Sequence, residues 1–220
     1  MKILIVIPAY NEQNTIGKVI NEINNSGFHK IIVVNDGSTD DTEKICQQKK
    51  VIILNHLFNL GQGAALQTGI EYCRLDKADI VITYDADGQF DANDISKIID
   101  PIKKNECDVT LGSRFLGKTV AMPLSKKIVL KIGIWFTVFY SGIKLTDVHN
   151  GFRAFNNKAL SVINIKQNYM AHGSEIIDRI ITGKLKLQEV PVTVYYHQSK
   201  NQGILGGLQI IYHLIYKMIS

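Results

Sequence analysis

The sequence predicts an α/β domain with a mostly parallel, doubly wound central sheet and helices on both faces. Three observations predict it. Apolar, β-branched runs recur at 3–7, 31–34, 51–54, 79–83 and 108–111. These runs are continuous rather than alternating, as in strands covered on both sides. Each of the first four is followed by turn or cap residues and then a helix-like segment, the order that crossover connections require.

The elements follow in chain order. ILIVI at 3–7 opens the chain, and Pro8 ends the run after five residues, too short for a secretory core, so a buried strand is expected. IIVV at 31–34 leads into NDGSTD, where Ser38, Thr39 and Asp40 suit a helix N-terminus. VIIL at 51–54 leads into NLGQGAALQTG, whose Gly61 and Gly63 suit close approach of backbone to phosphate. That stretch is not the dinucleotide fingerprint, because it follows the third strand and lacks the third glycine. DIVIT at 79–83 leads into DADGQ, and DVTL at 108–111 completes the series. In such sheets ligands bind beyond the carboxyl ends of the strands, so PAYNE, NDGSTD and DADGQ are expected to converge on one edge.

Past residue 112 the pattern changes. An apolar stretch with lysines at 126, 127, 131 and 144 precedes TDVHNGFRAF. A helix over 172–182 and a strand over 186–194 follow. The whole chain, 1–220, reads as one domain. The change of pattern divides it into residues 1–112 and residues 113–203. Two amphipathic helices are expected at 124–142 and 204–219.

The formal net charge of +5 suits anionic partners, yet no run of like charge reads as a nucleic-acid arm, so no nucleic acid is expected. Cys46, Cys73 and Cys107 are far apart, odd in number and in no metal spacing, as expected of reduced thiols in a cytoplasmic protein. No transmembrane helix is expected, since no uncharged apolar run reaches ~20 residues. Residues 124–142 instead combine lysines with Trp135, Phe136, Phe139 and Tyr140, the composition of a helix lying on an anionic membrane surface. At 204–219, Ile204, Leu208, Ile211, Ile215 and Ile219 oppose Gln209, His213 and Lys217. Core packing or a homo-oligomer contact would serve such faces as well.

The chemistry concentrates in ITYDADGQFD, 82–91. Asp85 and Asp87 stand two apart after a buried strand, where paired carboxylates need a cation or a proton. On an extended segment both would face one ion, with Gln89 in the same register. Oxygen ligation suits Mg²⁺ or Mn²⁺ bridging to phosphate. Asp36 either caps a turn or accepts the imide N–H of a uracil ring.

IPAYNE, NDGSTDDT, the NLGQGAA run, DADGQ, GSRF, TDVHNGFRAF and EVPV, in this order, resemble a family-2 glycosyltransferase with the Rossmann-like GT-A fold. The branch is that of dolichyl-phosphate mannose synthases and bacterial polyprenyl-phosphate sugar transferases, and the resemblance covers residue 1 to about 200. It implies an inverting hexosyltransferase using a UDP- or GDP-sugar and Mg²⁺ or Mn²⁺. It places Pro8, Ala9, Tyr10 and Glu12 in the nucleotide pocket and Asp36 on the base. Gly61 approaches the donor, and Asp85, Asp87 and Gln89 hold metal and diphosphate. Arg114 meets a phosphate, and Asp147, Asn150 and Arg153 line the acceptor side. Lys200, in YYHQSKNQG, replaces a basic residue that relatives carry after EVPV. Gln62 stands where relatives often have lysine or arginine.

The implied acceptor is a polyprenyl phosphate, met at the inner face of the cell membrane by a peripheral enzyme. A phosphate acceptor is already an anion and needs little or no base. A glycan hydroxyl, as in cell-surface polysaccharide synthesis, would need Asp147 or Glu175. A non-catalytic nucleotide-sugar-binding module and a nucleotidyltransferase are the alternatives from other classes.

Overall fold

Strands β1 (Ile3–Ala9), β2 (Ile31–Asn35), β3 (Ile52–Asn55), β4 (Ile80–Thr83), β5 (Val109–Val120), β6 (Arg153–Asn156) and β7 (Leu187–Tyr195) form a seven-stranded sheet. Their order is β3-β2-β1-β4-β6-β5-β7. The structure is a computed structural model and describes residues 1–169 and 171–196. Lys200 and the 204–219 segment lie outside the described residues.

Helices α1 (Ile16–Asn25), α2 (Thr42–Gln47) and α4 (Ile95–Lys103) cover one face of the sheet, and α3 (Gln62–Leu75), α6 (Asn157–Val162) and α7 (His172–Thr182) the other. The continuous apolar strands explain this. In β1, Ile5 and Ile7 join the core under α1 and α4, while Leu4 and Val6 join the core under α3 and α7. Period-two alternation thus puts apolar side chains on both faces.

The predicted mostly parallel sheet is present. β1 pairs in parallel with β2 and β4, β2 with β3, and β5 with β7. The exception is β6, antiparallel to both β4 and β5, with Arg153 opposite Thr83 and Leu111. The sequence reading took this stretch as part of a polar cluster and gave it no strand. Its direction matters for function. Because β6 runs backwards, its entry loop, residues 147–151, sits at the edge where β1, β2 and β4 end. The helix expected over 124–142 is α5 (Leu124–Ser141), closed by Gly142 in the left-handed region at φ 70°.

Candidate active site

The loops after β1 and β2 are stitched together by side chains. The Asn11 amide donates to Ser38 Oγ at 3.0 Å, and the Thr39 amide donates to Asn11 Oδ1 at 2.9 Å. Glu12 is tied in by its amide, which donates to Thr42 Oγ1 at 2.8 Å. Pro8 and Ala9 are buried within β1, whereas Tyr10 is 44% exposed and free to meet a ligand.

Asp36 is buried and serves its own chain. Its carboxylate accepts from the Leu60 amide (2.9 Å), the Gly61 amide (2.8 Å) and His56 Nδ1 (2.7 Å). His56 Nε2 in turn meets Thr68 Oγ1 on α3 at 2.9 Å. This carboxylate therefore fixes the loop after β3. The glycines of that loop are explained by the chain itself: a Cβ on Gly61 would stand 2.3 Å from the Asn168 carbonyl oxygen, and one on Gly63 2.0 Å from that of Gln167. The close approach read from the sequence is to the backbone of Gln167 and Asn168.

After β4 the chain does not stay extended. Asp87 and Gly88 form a turn, with Gly88 at φ 72° and Asp87 Oδ1 accepting from the Gln89 amide at 3.0 Å. The expected alternation of Asp85, Asp87 and Gln89 along a strand is replaced by this turn. Asp85 Oδ1 accepts from Gln62 Nε2 at 3.0 Å, so the neutral residue of the glycine loop touches the first carboxylate directly. Gly151 closes the other side, since a Cβ there would be 2.4 Å from Asp85 Oδ2.

Arg114 and Asp147 form a buried ion pair. Asp147 Oδ2 accepts from the Arg114 amide at 3.0 Å and from Arg114 Nε at 2.6 Å. Arg114 Nη1 donates to Tyr196 Oη at 2.6 Å. Glu189, the acid of EVPV, accepts from the Thr146 amide (2.9 Å) and the Asp147 amide (3.0 Å) and so fixes where Asp147 stands. Arg153 binds the same loop from below, donating to the Asn150 and Val148 carbonyls at 2.9 and 3.1 Å.

Lys126 departs from the expected lipid-facing lysine row. It stands 4.7 Å over the Tyr196 ring, and burial together with the nearby Arg114 charge lowers its pKa. It points into the site, while Lys127 and Lys131 are exposed. Glu175 is not poised as a base. One oxygen accepts from the Lys166 and Gln167 amides at 2.9 and 2.8 Å, and the other pairs with Arg179 at 3.3 Å.

The glycosyl transferase family 2 model matches residues 4–163. The chain belongs to glycosyl transferase family 2. It is 37% identical over 226 residues to an uncharacterized protein of Methanocaldococcus jannaschii, covering 99% of this chain and 93% of that one. It is 34% identical to the UDP-N-acetylglucosamine–dolichyl-phosphate N-acetylglucosaminyltransferase of Methanococcus voltae, over 97% and 94% of the two chains. Among solved structures, glucosyl-3-phosphoglycerate synthase of Mycobacterium tuberculosis, in complex with Mn²⁺, UDP and phosphoglyceric acid, superposes with a TM-score of 0.76. At 18% identity, over 98% of this chain and 78% of that one, this likeness establishes the GT-A fold.

For this family-2 glycosyltransferase, the carboxylates fit a divalent cation. Burial and the neighbouring Asp87 push the Asp85 pKa from 3.8 up to about 7, so the anion is uncomfortable without one. The metal-free fold holds a proton that the unfolded chain releases between about pH 4 and 7, a contribution complete at low pH and lost as pH rises through 7. A cation held there would displace that proton. Mn²⁺ affinity, followed by calorimetry, is expected to rise ~10-fold from pH 6 to 8 and then level off. A flat profile would contradict this role for Asp85. Among the described residues no three His, Cys, Asp or Glu side chains cluster, so phosphate and water oxygens would complete the coordination shell.

Sequence reasoning missed Gln62 as a partner of Asp85, His56 as a partner of Asp36, Tyr196 as a partner of Arg114, and the inward turn of Lys126. The Glu189 clamp was signalled by EVPV, but the motif alone gives no hint of its target.

Proposed function

We propose that this glycosyltransferase moves a sugar, with inversion, from a nucleotide-sugar donor to a polyprenyl phosphate at the inner membrane surface. The observation that carries the reading is one juxtaposition. Arg114 and Lys126 place two cations beside Tyr196 at the root of α5. The outer face of that same helix exposes Leu124 (72%), Ile128 (52%), Ile132 (42%) and Trp135 (63%) at helical spacing. An acceptor with an anionic head and an apolar tail matches both. The named Methanococcus voltae relative, a dolichyl-phosphate transferase, supports the same acceptor class. Among the described residues no helix is long and apolar enough to cross a membrane, so the stripe would lie along the surface.

The residues divide the work. Tyr10 and the stitched loops after β1 and β2 receive the nucleoside. A divalent cation held by Asp85 and Asp87 would offset the charge that grows on the departing diphosphate. Gln62 holds the Asp85 carboxylate in place. Arg114 and Lys126 hold the acceptor phosphate, whose oxygen is already anionic and attacks without a base. This agrees with the engagement of both Glu175 oxygens, one by backbone amides and the other by Arg179, which leaves Glu175 unsuited to take a proton.

The test mixes the protein with Mn²⁺, UDP- and GDP-sugars, and liposomes with or without polyprenyl phosphate. Nucleoside diphosphate is expected to be released only when the lipid phosphate is present. Release driven equally by a soluble glycan would favour the hydroxyl acceptor. Binding without release would favour the module. The protein is also expected to sediment with anionic liposomes at low salt and partly dissociate at high salt, each exposed lysine adding ~1 kcal/mol. Indifference to liposomes would remove the surface reading.

A further inference from the structure

Asp147 Oδ1, His149 Nε2 and Asn150 Nδ2 are buried side-chain atoms without a hydrogen-bond partner among the described residues. All three lie within four consecutive residues. Buried polar atoms are paired in the great majority of cases, so this concentration demands an explanation. It is not a loose loop. Thr146 and Asp147 are held by Glu189, the Asn150 carbonyl by Arg153, and Asn150 Oδ1 accepts from the Phe152 amide at 3.0 Å. The loop is fixed, yet three of its buried side-chain polar atoms have no hydrogen-bond partner among the described residues.

Its position names the ligand. On one side Gly151 packs on the Asp85 carboxylate, where the donor diphosphate would lie. On the other, Asp147 pairs with Arg114, at the acceptor phosphate. Between donor phosphate and acceptor phosphate stands the group being transferred. We propose that Asp147, His149 and Asn150 read the hydroxyls of the transferred sugar, which reaches them when α5 lifts from the loop. This rests on the donor and acceptor placement proposed above.

The chemistry is complementary. A sugar hydroxyl donates to one atom and accepts from another, and Asp147 Oδ1 offers the acceptor while Asn150 Nδ2 offers the donor. Burial holds the His149 pKa down to about 4, so its imidazole is neutral and adds a further polar contact without charge. The cover is α5. A Cβ on Gly133 would stand 2.9 Å from His149 Nε2, so this glycine lets the helix lie directly on the ring. Trp135, the one tryptophan of the chain, sits two residues further along the same helix.

The experiment compares each nucleotide sugar with its own nucleoside diphosphate, both with Mn²⁺, by calorimetry. Asn150→Ser keeps a turn-forming oxygen but removes Nδ2. It is expected to weaken binding of the sugar nucleotide about tenfold and leave the diphosphate unchanged. Equal loss for both, or loss for neither, overturns the proposal. Trp135 emission in the unaltered protein provides a second reading that needs no variant. It is expected to shift with the sugar nucleotide and not with the diphosphate, and an identical response to both overturns the uncovering of the loop. A wild-type protein that binds the diphosphate but never prefers or discriminates among its sugars also overturns it. One that binds no nucleotide at all overturns the transferase assignment of the site first.

Discussion

Asp85→Asn is expected to cut sugar transfer ~100-fold or more while raising the melting temperature of the metal-free protein at pH 8. The two effects share one cause. Asp85 is crowded by protein and by the Asp87 charge, and its anion is disfavoured enough to move its pKa to about 7. An amide of the same shape removes that repulsion and still has an oxygen to accept from Gln62. It also removes a charge that a divalent cation needs. Turnover and thermal unfolding measured on the same preparation decide the matter. An active variant, or an inactive one that melts lower, would show that Asp85 is an ordinary structural acid.

Asp147→Ala is expected to be the most damaging single change to the fold, costing ~3–5 kcal/mol. Arg114 is 7% exposed, and losing its partner would leave a buried guanidinium with Tyr196 alone. At this chain length such a loss lowers the melting temperature by about 10 °C. Replacing both partners together, Arg114→Met with Asp147→Leu, is expected to restore much of the stability and none of the lipid-dependent transfer. If the double variant is as unstable as Asp147→Ala, the cost lies in packing rather than in the stranded charge.

The strands were legible because burial on both faces writes itself as unbroken runs of Ile and Val. α7 was legible over its full length, His172–Thr182, from its spacing of Ile176, Ile177 and Ile180. β6 was not, because its four residues carry Arg153 and Asn156 and resemble a loop until β4 and β5 are placed on either side. The site residues were named by motif, but their geometry was hidden. Period-two reasoning kept Asp85, Asp87 and Gln89 on a straight segment, and Gly88 bends it. The glycines at 61 and 63 advertised a close approach without saying to what. Lys126 shows the same limit. A lysine beside Lys127 on an amphipathic helix reads as surface, and only the position of Tyr196 turns it inward. Contacts between residues far apart in sequence decide these cases, and local pattern carries none of that information.

The reversal of β6 has a consequence for how the chain assembles. β1 to β4 can join as they are synthesised, each finding its neighbour among strands already made. β5 cannot. Its sheet neighbours are β6 and β7, both made later, and the place beside β4 is reserved for β6. A growing chain must therefore hold a twelve-residue strand unpaired until residue 156, and in part until residue 195, has emerged. The half that carries Arg114 and the 147–153 segment is thus the slow, late-closing half, and the stage most exposed to wrong pairing falls just before β6 and β7 are made.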